Sequence, residues 1–193
     1  NVAANIDYAS VVGGCVSCST VMGARLAGIT PSGNMPHALP LIMGDAVKAI
    51  QSFDRHMPQE VPRIALVDTF NDEAQESLEV AQALRERLRG VRLDTPPERG
   101  GVTSDLAKEV RARLDLAGFR HVEIFVSGGF TRERIREFVE AGAPINGFAV
   151  GSYISSTPPN DFTADIHEID GRPIAKRGRT PGVTQSPRLD RVM

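Results

Sequence analysis

The strongest constraint on this chain is an alternation of two unlike stretches. A short apolar, β-rich run stops at a polar residue or glycine, and a longer stretch with capping residues and helical apolar spacing follows. "RIALVDTF" (63–70) leads into "NDEAQESLEVAQALRERLRG" (71–90), which opens on good capping residues and closes on Gly90. "GVRLDT" (90–95) leads into "TSDLAKEVRARLDLAG" (103–118), and "VEIFVSGG" into "TRERIREFVEAG" (131–142). "INGFAVGS" (145–152) reads as a further strand. Upstream, "SCSTVMGARLAG" (17–28) reads as a helix, and "ITPSGNMPHA" (29–38) as a strand running into a loop. Apolar runs without clean alternation suit strands buried on both faces, and strand–helix alternation means parallel strands joined by helical crossovers. The fold class expected is therefore α/β, a parallel (β/α) barrel-type sheet. A full barrel takes eight strands and about 250 residues. About five strands in 193 residues predict an incomplete one. The expected division is a barrel portion over residues 1–178 and a Pro- and Arg-rich tail over 179–193 without fixed order.

Polar residues gather where the strands end: Asn34 and His37, Asp68 and Thr69, Asp94 and Thr95, Ser127 to Gly129, Gly151 and Ser152. In parallel α/β folds those ends share one face, and the active site lies on it. "SGG" and "VGS" are turns whose backbone N–H groups can meet an anion, because glycine carries no side chain to block approach. Ser127, Gly128, Gly129, Gly151 and Ser152 are accordingly the candidate phosphate-binding residues, against the plainer reading that the glycines only permit tight turns. Asp68 and Asp94 each precede a Thr at a strand end. They can hold ribose hydroxyls or a magnesium ion on a pyrophosphate, although Asp-Thr before a helix is also ordinary capping chemistry. Arg92 and Asp94 are two residues apart and so share a strand face. His37 is a candidate nucleophile or acid–base group, since imidazole titrates near neutrality. His56 is expected in a polar loop, and His121 at the opposite end of the strands.

The totals exclude several classes. With 22 basic and 24 acidic residues, nothing electrostatic points to nucleic acid. No apolar run approaches the roughly 20 residues of a membrane span, and no signal peptide is visible. Cys15 and Cys18 form a C-x-x-C pair without a second pair or a histidine pair at ligand spacing. The expectation is two small residues on a packed helix, kept reduced in a cytoplasmic protein, and no protein-built metal site.

Six segments, "GNMPHAL", "RIALVDTFNDE", "VRLDTP", "IFVSGGF", "NGFAVGS" and "DIHEIDGRPIAKRG", resemble nicotinate phosphoribosyltransferase in order and spacing, in its shorter archaeal-type branch. The resemblance runs from about residue 9 to about residue 178. It implies a type II phosphoribosyltransferase-like barrel. It also implies transfer of phosphoribose from PRPP to nicotinate, giving nicotinate mononucleotide and pyrophosphate in NAD salvage, with ATP as co-substrate and Mg2+ as cofactor. His37 matches the histidine that ATP phosphorylates. Asp68 and Asp94 match acids of the catalytic face, and the two glycine turns match the ribose and phosphate sites. Ser19 and Thr20 match a stretch near the nicotinate pocket, with Arg92 and Thr95 as further substrate-binding candidates. A homo-oligomer, dimer or larger, is implied, with small molecules as partners and neither nucleic acid nor membrane.

The sequence departs from the pattern in three ways. Asn34 stands where the family usually has Thr. The N-terminal half, with an arginine for the nicotinate carboxylate, is missing. The cysteine-rich tail is absent. The chain lacks an initiator Met, and a fragment of a longer protein is expected. Three rivals remain. A quinolinate phosphoribosyltransferase-like enzyme would need a basic cluster for a second carboxylate, which "GNMPHALP" does not supply. An aldolase-type barrel would need a strand lysine, and Lys48, Lys108 and Lys176 are not on strands. The third rival is a truncated scaffold that binds phosphate without turnover.

Overall fold

The computed structural model describes residues 2–33, 35–158 and 163–187. Among them, β1 (Ile64–Leu66), β2 (Gly90–Leu93), β3 (Glu123–Val126) and β4 (Gly147–Phe148) form one sheet in sequence order, with every neighbouring pair parallel. Three helices supply the crossovers: α5 (Glu73–Leu84), α6 (Ser104–Leu116) and α7 (Arg132–Glu140). Each begins where the sequence places a capping side chain. Asp72 accepts from the Gln75 amide, Thr103 from Leu106 and Thr131 from Arg134. The incomplete parallel α/β barrel expected from the alternation is thus present, with four strands in its sheet.

Strand parity divides the sheet into two faces. Ala65, Val67, Val91, Leu93, Ile124 and Val126 are all fully buried and join the core with Ile50, Val80, Leu84, Val110 and Leu114 of the helices. The alternate residues, Leu66, Arg92, Phe125 and Gly147, lie in one register row on the other face. Phe125 explains two glycines in the flanking strands. A Cβ on Gly90 would stand 2.8 Å from its ring, and one on Gly147 would stand 2.9 Å from the ring's other edge.

Several expectations change. Among the described residues 29–38 there is no strand. Pro31 and Pro36 remove two ladder donors, and the Ser32 amide bonds to Cys18 O at 2.9 Å instead. The helix expected over 17–28 is only α2 (Val21–Leu26), because Thr20 caps it at its own position. The C-x-x-C pair lies in the connection from α1 (Val2–Val12) to α2, not on a helix, with Cys15 exposed and Cys18 buried. His56 ends α4 (Ala46–His56) rather than occupying a loop. Pairing in the strand expected over 145–152 is confined to Gly147 and Phe148, after which the chain turns into α8 (Ser152–Ser155).

A second compact unit begins at Pro158. Its described part holds an antiparallel hairpin, β5 (Glu168–Ile169) and β6 (Arg172–Pro173), turned by Asp170 and Gly171, both with positive φ. Asp165 pairs with Lys176 at 2.8 Å and with Arg179 at 2.9 Å. Within the tail expected from residue 179, the Gly182 amide donates to His167 O at 2.7 Å, and residues 188–193 lie outside the described residues.

Arg63 fastens the entry to the sheet. Its buried guanidinium pairs with Asp54 at 2.9 Å and donates to the carbonyls of Asp54, Met57, Pro58 and Val61, closing the end of α4. Removing one partner of a buried ion pair costs about 3–5 kcal/mol, because the other is left unsatisfied. Arg63→Ala is expected to lower stability by about 3 kcal/mol or more, read from the urea midpoint at unchanged slope.

Candidate active site

The carboxyl ends of β1, β2 and β3 bring Asp68, Asp94 and Ser127 to one edge of the sheet, as the parity of the sequence requires. His37, on the segment before α3 (Ala38–Met43), meets two of them. Its Nε2 is 3.0 Å from Asp68 Oδ2 and its Nδ1 is 4.0 Å from Asp94 Oδ2. Arg92 joins the same group, 3.9 Å from Asp94, and donates to Met35 O at 3.0 Å. That bond fixes the segment that carries His37. Burial raises the Asp68 carboxyl above its ordinary 3.8, and the His37 hydrogen bond and charge pull it partly back. Burial likewise lowers the Arg92 guanidinium, against the pull of Asp94 and Asp68.

Buried polar atoms without a partner are uncommon in folded proteins, and they cluster at sites built for something else. Among the described residues four such side-chain atoms occur: Asp68 Oδ1, Thr69 Oγ1, Arg92 Nε and Arg111 Nε. Two of the four, on Asp68 and Arg92, belong to this group, and a third is on Thr69, the residue after Asp68.

The glycine turn after β3 stands against the second acid. Gly128 has φ +89°, and a Cβ there would lie 3.0 Å from Asp94 Oδ1. Gly129 follows at φ +66°. Both conformations favour glycine, and a side chain at the first position would crowd Asp94. Ser127 is tied down by its amide and hydroxyl, both on Leu93 O. Gly151 and Ser152 follow the next strand, β4, at the start of α8. The helix they open has a single turn, so any anion there would rest on loop N–H groups rather than on a helix dipole.

Two candidates have their hydroxyls engaged in internal bonds. The buried Thr95 hydroxyl donates to Glu73 Oε1 at 2.6 Å. Thr20 uses its side chain to cap α2, and its amide donates to Asp7 at 2.6 Å. Ser19, also bonded to Asp7, does reach a cavity of about 360 Å³ lined by Arg92, Phe125, Asn146, Phe148 and the Cys15–Ser19 loop. Asn34, the unusual neighbour of His37, lies outside the described residues.

Sequence reading missed the acids that hold the β1–α5 connection. Buried Glu76 accepts from the amides of Thr69, Phe70 and Asn71, and buried Glu73 takes Thr95 and Arg99. The signal was available. Glu73 and Glu76 fall on the same helical stripe as Ser77, Val80 and Leu84, where a solvated acid does not belong.

Among the described residues no three His, Cys, Asp or Glu side chains are arranged to hold a metal, and no helix is long and apolar enough to cross a membrane.

Residues 1–165 match the family described as quinolinate phosphoribosyl transferase, C-terminal domain. Nicotinate phosphoribosyltransferase pncB2 from two strains of Mycobacterium tuberculosis is 32% identical over 174 residues, which is 88% of this chain and 36% of that protein. The crystal structure of nicotinate-nucleotide pyrophosphorylase from Pyrococcus furiosus is 47% identical, with a TM-score of 0.78, over 94% of this chain and 46% of that one. The chain thus spans about a third of the length of the curated relatives it matches. The nicotinate phosphoribosyltransferase resemblance drawn from the six motifs is a finer statement than this match supports. At the level shown by residues 1–165, the chain belongs to the quinolinate phosphoribosyl transferase C-terminal domain family.

Proposed function

We propose that the chain forms the phosphoribose-binding part of a phosphoribosyltransferase that joins PRPP to nicotinate, releasing pyrophosphate. The observation that carries this reading is the set of unpartnered buried atoms on Asp68, Thr69 and Arg92, beside Asp94 and the Gly128–Gly129 turn. Phosphoribosyl transfer passes through a cation-like ribose, so the chemistry asked of the protein is positioning and charge. Asp68 and Asp94 supply negative charge at the strand ends. The N–H groups of the glycine turns, at Gly128–Gly129 and at Gly151–Ser152, supply donors for phosphate oxygens.

Magnesium takes one or two carboxylates plus substrate phosphates. Asp68 Oδ1, buried without a partner, and Asp94 suit it, and the ion would neutralise the departing pyrophosphate. ATP coupling rests on the resemblance. An ionised Asp68 must receive a hydrogen from His37 Nε2, which leaves the Nδ1 lone pair as the group that can take a phosphoryl. A cytoplasmic homo-oligomer belongs to the same reading.

For the base, Arg92 is the one cation among the described residues lining the 360 Å³ cavity, which matches a substrate with one carboxylate. The family description favours a second reading, a quinolinate-type base. Quinolinate carries one carboxylate more, and its conversion to the same nucleotide must release carbon dioxide.

Calorimetric titration with PRPP and magnesium is expected to give binding that Gly128→Val abolishes. No binding to the folded chain overturns the reading. Incubation with PRPP and each base is expected to yield nucleotide from nicotinate without gas release. Carbon dioxide from quinolinate would select the second reading. His37→Ala is expected to remove ATP stimulation and leave slow PRPP-dependent turnover, and undiminished stimulation would refute the phosphoryl role. Asp68→Asn should lose PRPP binding yet melt higher at pH 7. The raised carboxyl favours folding only while protonated, so the wild type loses that contribution as pH climbs from 3.8 through the raised value. The melting difference should vanish below pH 3.8, and a constant difference across pH would contradict it.

A further inference from the structure

The N–H groups of the phosphate turn need something to aim them, and the structure holds one side chain placed to do so. Arg134 Nη1 donates to Gly128 O at 2.9 Å and to Gly129 O at 3.4 Å, and its Nη2 donates to Val102 O at 2.7 Å. The guanidinium lies 4.6 Å from the Phe130 ring centroid, and that ring is packed edge-on against Phe138 and Phe148. Arg134 is therefore held by an aromatic cluster of the core, while its fork reaches two separate connections, the one after β2 and the one after β3.

A trans peptide points its C=O and N–H in opposite directions. All peptides among the described residues are trans. With the carbonyls of Gly128 and Gly129 turned to the guanidinium, the N–H groups of the same two planes, on Gly129 and Phe130, must point away from it. Among the described residues neither of these amides has an acceptor, whereas the Ser127 amide is used by Leu93 O. Asp94 packs on the first glycine of the turn, 3.0 Å from where a Gly128 Cβ would be. The two free donors thus leave the turn on the side away from Arg134.

We propose that Arg134 is the positioning residue of this turn: by holding the carbonyls of Gly128, Gly129 and Val102 together it aims the Gly129 and Phe130 N–H groups at a phosphate. This rests on the phosphate-binding reading above. It asks for a planar fork with several donors, which a lysine ammonium does not provide.

The test uses inorganic pyrophosphate with magnesium as the probe, on the whole chain, with melting temperature as a control for folding. In the wild type the Gly129 and Phe130 amide resonances are expected to shift on titration. Arg134→Gln and Arg134→Lys should each weaken binding about tenfold, the loss of one charge-assisted bond, and most of those two shifts should disappear. Wild-type affinity in Arg134→Lys would mean that only charge is needed and would overturn the positioning role. Wild-type affinity in both variants, with binding still abolished in Gly129→Val, would overturn Arg134 and leave the phosphate turn standing. Absence of binding in the wild type, or full binding in Gly129→Val, would remove the phosphate reading and the proposal with it.

Discussion

The parallel ladder of β1 to β4 is the constraint on which the rest depends. Period-two alternation sends Val91, Leu93, Ile124 and Val126 into the helices and sends Arg92 and Phe125 to the opposite face. Continued past the last paired residues, the same alternation delivers Asp68, Asp94 and Ser127 to one edge. A slip of one residue in β1, β2 or β3 would send Asp68, Arg92 or Glu123 among the helices and turn a valine toward the candidate site. Registration therefore fixes the core and the chemistry together.

Around that ladder the structure spends buried polar groups on holding its connections. Arg63 closes α4, Glu76 gathers three successive amides after β1, Glu73 anchors Thr95, and Arg134 joins two turns. Each is a charged group at least half taken out of water and given more than one hydrogen-bond partner, the condition under which burial of charge is tolerated. Three of the four exceptions among the described residues are informative because they are local. Asp68, Thr69 and Arg92 keep unpartnered atoms at the very edge where the strand ends converge.

Arg92 links the two halves of that edge. One side of it meets Asp94 and fixes the His37 segment, and it also lines the cavity that Phe125 and the Cys15–Ser19 loop enclose. A ligand with an anionic ring at one end and phosphates at the other suits such an arrangement. The proposed phosphoribosyl transfer would use both ends, with the cavity's charge selecting the ring.

Much of this was legible in the chain. Capping residues and 3.6-residue spacing gave α5, α6 and α7, because those signals are local and strong. The Asp-Thr pairs and "SGG" marked the strand ends, and the parity of Arg92 and Asp94 put them on one face. The Asp-Gly hairpin at 170–171 was equally local and was overlooked. What the sequence alone determined was the set of elements and the residues that end them, since backbone periodicity and turn chemistry act over a few neighbours. Tertiary structure decided the rest. It bonded the Ser32 amide to Cys18, turned Thr95 toward Glu73, and tied the Thr20 amide to Asp7. It also set Gly128 against Asp94 and brought Arg134 across to Val102. These outcomes depend on distances between residues far apart in the chain, and packing of the helices on the sheet fixes those distances.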